Sequence, residues 1–95
     1  MKEPTAGGIS CRKEMYMNSK EKVLNYFKKC DSNLYSYIAH NGTTCYRTFG
    51  PFAWFELVCK KFGLAWEMEN SYCAIARGDG YTIDYCEHDI ILALE

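Results

Sequence analysis

The sequence has little of what loosens or interrupts a chain. Only two prolines and seven glycines occur in 95 residues, which excludes collagen-like repeats and leaves no low-complexity linker. No stretch approaches the roughly 18 consecutive apolar residues of a membrane-spanning helix. The opening MKEPTAGGISCRKEMYM lacks the apolar run of a secretory signal. No GxGxxG is present. The glycine-rich RGDG at 77–80 has no Lys-Ser or Lys-Thr after it, so no phosphate-binding loop is encoded. Arg77-Gly78-Asp79 reads as part of a tight turn, not as an adhesion tripeptide. The six cysteines (Cys11, Cys30, Cys45, Cys59, Cys73 and Cys86) stand 13 to 19 residues apart, without the close pairs of structural zinc sites.

What is present is the balance of a globular domain: 48% apolar, 24% charged and 16% aromatic residues, with eight tyrosines. Rings bury large areas at small entropic cost, which helps so short a chain build a core. The length allows one domain and excludes a large catalytic scaffold. Most cysteines fall inside apolar patterns, where a reduced thiol acts as a small hydrophobe. With no export signal, the expectation is free, mostly buried thiols in a cytoplasmic protein; a disulfide scaffold and a metal site are the alternatives. The net charge of -1 hides an asymmetry. Residues 1–63 carry ten Lys or Arg against five acids, whereas residues 64–95 carry Arg77 alone against seven acids.

Residues 1–17 have no sustained periodicity and read as a flexible leader to a single compact domain over 18–95. Asn18 and Glu21 have capping-box spacing. Val23, Phe27, Cys30, Leu34, Tyr37 and Ile38 then form one helical stripe, which predicts a helix over 19–39, weakest at Asp31-Ser32-Asn33 and closed by Asn41-Gly42. The β-branched and aromatic 43–48 predict an extra short strand at an edge. A second helix runs from Pro51, with Gly50 as its cap, to Gly63 and is apolar nearly all round. Period-two alternation predicts strands over 64–69, 72–77, 80–86 and 89–94. Loops this short force antiparallel neighbours. The fold class is therefore α+β, with two helices packed on one face of a four-stranded antiparallel meander.

Chemistry is sparsely encoded. Cys86, Glu87, His88 and Asp89 form the one compact cluster of metal-ligating types, without zinc spacing. Cys86 and His88 could serve as nucleophile and base with Asp84 or Asp89, but an i, i+2 pair on a strand has Cβ atoms nearly 7 Å apart, too far for a direct hydrogen bond. Asp84 with Glu67 or Glu69 is the carboxylate pair a hydrolase would need. No cofactor is implied. A basic face with Lys22, Lys28, Lys29 and Lys61 is the nucleic-acid alternative, opposed by the acidic sheet. The reading favoured is a non-catalytic protein-interaction domain that self-associates as a homodimer, or an acidic-surface inhibitor or adaptor. Its interaction candidates are Trp54 and Val58 on the second helix, and Glu67, Glu69, Asp79, Asp84 and Glu87 in the acidic half.

Overall fold

Asn18 starts the first helix by the chemistry its spacing predicts. In a computed structural model, which describes residues 18–95, the Asn18 side chain accepts from the Glu21 amide at 2.9 Å, and Glu21 accepts from the Asn18 amide at 3.1 Å. Helix α1 (Ser19–Cys30) buries Val23 and Phe27 and exposes Lys22, Lys28 and Lys29. It stops far short of the predicted residue 39. Asp31 takes an extended conformation and caps the helix end, and its Oδ1 accepts from the Asn33 amide at 2.9 Å. Its Oδ2 accepts a 2.7 Å hydrogen bond from the Thr48 hydroxyl. Short polar side chains that bond locally compete with the helix ladder, and here they win. The residues that follow form strand β1 (Tyr35–Ile38). Asn41-Gly42 is the turn of a hairpin, not a helix end.

Strand β2 (Thr44–Phe49) pairs with β1 on one side and with the last strand on the other. The edge position predicted for 43–48 is therefore wrong, because β1 supplies the edge. Helix α2 (Phe52–Phe62) follows, with Pro51 rather than Gly50 as its N-cap and no side-chain cap hydrogen bond. Lys60 and Lys61 occupy its last turn, where the helix dipole favours cations, and Gly63 closes it in the left-handed conformation. The meander is as predicted in order: β3 (Trp66–Met68), β4 (Cys73–Gly78), β5 (Tyr81–Cys86) and β6 (Asp89–Leu94). The sheet has six antiparallel strands in the order β1-β2-β6-β5-β4-β3, not four. The leader predicted over 1–17 lies outside the described residues.

The core lies between helices and sheet. Val23, Phe27, Phe55, Val58 and Cys59 from the helices meet Ala74, Ala76, Tyr81, Ile83, Tyr85, Ile90 and Leu92 from the sheet. Period two puts all of these strand residues on one face, so both helices cover that face. Burial pushes the Cys59 thiol up to about 11, with the Glu56 carboxylate adding to it. The unfolded chain would ionise this thiol at about 8.5. Stability is therefore expected to fall as pH rises between those two values, since the unfolded state loses its proton first. Alkylation by iodoacetamide under native conditions should mark exposed Cys30 and spare Cys59, which is 1% exposed. Equal labelling of the two by mass spectrometry would refute this packing.

Candidate functional site

The face turned away from the helices is unusual for an antiparallel sheet. Register aligns Tyr35, Arg47, Ile91, Asp84, Ile75 and Glu67 in one row across all six strands. A second row runs Tyr37, Cys45, Ala93, Thr82 and Arg77. A third runs Phe49, Asp89, Cys86 and Cys73. A solvated face normally carries polar residues at such positions. Here two isoleucines, two tyrosines and a phenylalanine interrupt the polar set, and Tyr35 and Phe49 are largely exposed.

Arg47 and Asp84 lie on the strands either side of Ile91 on this face. Arg47 Nη2 lies 3.3 Å from both carboxylate oxygens of Asp89, and the guanidinium sits 5.0 Å over the Phe49 ring. Tyr35 and Tyr37 stack with centroids 5.8 Å apart. Two polar atoms here are shielded from solvent and make no hydrogen bond: Arg47 Nε and Asp84 Oδ1. Ile75 and Ile91 are the cross-strand neighbours of Asp84. Desolvation raises its pKa above the usual carboxylate range. Glu69 adds to the shift, and Arg77 opposes it.

The other face carries a groove of about 590 Å³ at the end of the sheet where the β5–β6 hairpin turns. Phe52, Trp66, Tyr72 and Tyr85 form its aromatic walls, with Glu87 and His88 beside them. Asn70 holds the Tyr72 loop, its side-chain oxygen accepting from the Tyr72 and Cys73 amides at 2.8 and 2.9 Å. Glu87 and His88 have φ of 49° and 75°, a turn geometry that glycine or asparagine normally supplies.

The sequence-predicted residues scatter. Val58 is fully enclosed in the core, so it packs inward and offers no surface. Trp54 is half-buried, stacked on Tyr26 at 6.3 Å and edge-on to Phe27 at 5.3 Å. It joins the helices to each other. Glu67 and Asp84 share the face turned away from the described helices, where Glu67 lies 3.7 Å from Arg77. Exposed Glu69, by its alternation with Glu67, belongs to the same side. Asp79 and Glu87 sit in hairpin turns at opposite ends of the sheet, so the five acids make no single surface. Lys22, Lys28 and Lys29 lie on α1, and Lys61 sits 5.1 Å over the Tyr26 ring at the seam between helices.

Cysteine needs a correction. Cys73 and Cys86 are joined by a disulfide with Cα atoms 4.2 Å apart, so they are not free thiols. They face each other directly in the β4–β5 register. A disulfide favours an oxidising setting. While it holds, Cys86 has no thiolate to offer a nucleophilic or metal site. Cys45 is buried, its Sγ 3.8 Å from the Thr43 carbonyl. Among the described residues no three metal-ligating side chains converge, and no helix is long and apolar enough to cross a membrane. The residues that sequence reasoning missed are Arg47, Ile91, Tyr35 and Tyr37, which come together only through strand pairing. The chain matches no protein-family model, no curated protein and no solved structure.

Proposed function

We propose that this domain is a non-catalytic interaction module that pairs with a second copy of itself across the sheet face that its described helices leave open. The observation that carries this reading is the row Arg47–Ile91–Asp84, in which a cation and a desolvated carboxylate flank an isoleucine on the adjacent strands. A two-fold axis running along β6, in the plane between two stacked sheets, sets Ile91 on Ile91. The same operation lays each Arg47 over the partner's Asp84. Tyr35 then meets the partner's Ile75, and Tyr37 meets the partner's Arg77. Strands spaced about 4.8 Å apart and sheets packed about 10 Å apart allow this overlay. An isologous interface of this kind is self-complementary because each contact occurs twice.

Analytical ultracentrifugation over a concentration series tests it. The intact chain is expected to dimerise. Ile91→Asp should give monomer, and Asp84→Arg should weaken the dimer by about tenfold or more, since it opposes two cations. The charge swap Arg47→Asp with Asp84→Arg should recover most of that loss. A wild-type monomer throughout the series, or a swap no better than either single change, would overturn the reading.

A further inference from the structure

We infer that the aromatic groove beside the β5–β6 hairpin is a binding site for an alkylammonium group. The groove lies on the helix-bearing side of the sheet, so this stands apart from pairing through the other face. Its walls are rings set at steep angles to one another. Phe52 meets Trp66 at 5.0 Å and 85°, and meets Tyr85 at 5.1 Å and 75°. Tyr72 stands at the rim, 66% exposed, although a tyrosine gains from burial. Phe52, Trp66, Tyr72 and Tyr85 border one volume, and a quaternary or alkylated ammonium is the ligand that benefits most from several aromatic rings around it.

Charge complementarity selects a cation over a neutral apolar guest. Glu87 lines the groove. Among the described residues no lysine or arginine lines it. The lysines of the described chain sit on the helices instead. A further feature is consistent with a committed site. Glu87 and His88 are both held at positive φ, where non-glycine residues are strained. His88 is fixed by two contacts: its ring lies 6.3 Å from Tyr85, and its carbonyl accepts from the Gly50 amide at 2.9 Å. The turn therefore places Glu87 at the border of the groove.

The test is an NMR titration of the isotope-labelled full chain, following the Trp66 indole N–H. Three probes are compared: choline, its neutral isostere with carbon in place of the quaternary nitrogen, and a short peptide containing trimethyllysine. Choline should shift the Trp66 signal saturably in the millimolar range, and the isostere should bind roughly tenfold more weakly. Tighter binding of the peptide than of choline would assign the ammonium to a protein side chain; the reverse would assign it to a free metabolite. Glu87→Gln, in an exposed turn, should weaken choline several-fold and leave the isostere unchanged, with spectral dispersion confirming the fold. Tyr72→Ala should weaken choline and the peptide alike. Equal binding of choline and its isostere would overturn the inference in favour of a plain apolar groove. An unmoved Trp66 signal with all three probes would overturn it outright.

Discussion

Serine at both Cys73 and Cys86 is expected to lower the free energy of unfolding by about 3 kcal/mol, measured by urea denaturation. The bond joins residues 13 apart in sequence across the β4–β5 hairpin. Its main effect is to remove open conformations from the unfolded chain, and a closed loop of this length gives that magnitude. Wild-type protein treated with a dithiol should lose a similar amount, and the double-serine variant should ignore the reagent. Attack is accessible because Cys86 is exposed: the reagent's thiolate bonds to Cys86 Sγ and releases Cys73 as thiolate, and the second thiol then frees Cys86. Because Tyr72 and Glu87 are the chain neighbours of the two cysteines, reduction should also broaden the groove's NMR signals. An unchanged urea midpoint after confirmed reduction would sink this account.

The pairing was within reach of the sequence. In a two-residue hairpin, partners lie at equal distances from the turn. Gly78 opposes Tyr81 here, and counting outward by five brings Cys73 opposite Cys86. The strands over 72–77 and 80–86 are legible from alternation, but those bounds put the turn at 78–79, one residue early, which shifts the register and sets Cys73 opposite residue 84 instead of Cys86. Spacing along the chain, as opposed to position across the register, points to free thiols. The capping box at Asn18, the Gly63 stop and the meander order were legible because each depends on residues close in sequence.

What failed depends on contacts between distant residues. The stripe through Leu34, Tyr37 and Ile38 fits a helix by period alone. Asp31 ends that helix with a local bond from the Asn33 amide, and a bond from Thr48, 17 residues away, holds it there. Pairing of β2 with β6 joins segments that no turn connects, so nothing local announces it. The candidate face inherits that difficulty. Arg47, Ile91 and Asp84 form a row only once β2, β6 and β5 lie side by side. The sequence singled out Asp84 as an acid on an open face, and that placement holds, but its partners came from strands whose neighbours could not be read. The apolar second helix pointed to an interface at Trp54 and Val58. Much of that apolar surface is consumed by α1 and the sheet.

Gly78→Ala should destabilise the fold by about 2 kcal/mol, although alanine ordinarily suits a strand better than glycine. Gly78 faces Tyr81 across the hairpin, and a methyl group there would stand 2.3 Å from Tyr81 Cζ and 2.6 Å from both Cε atoms. The ring cannot swing into water without unpacking the core, since Tyr81 is 3% exposed. Covering a strand glycine with a cross-strand ring is a known way to recover the packing that the missing side chain forfeits. Gly42→Ala separates this effect from backbone strain. Gly42 has φ of +87° with nothing within 4 Å of an added methyl, so it should cost only about 1 kcal/mol, from conformation alone. A double-mutant cycle supplies the deciding measurement. With Tyr81→Val in the background, Gly78→Ala should become neutral or stabilising, because the ring that it clashes with is gone. A cost that persists in that background would place the penalty in the backbone of β4, and the ring–glycine contact would then not be what fixes the hairpin.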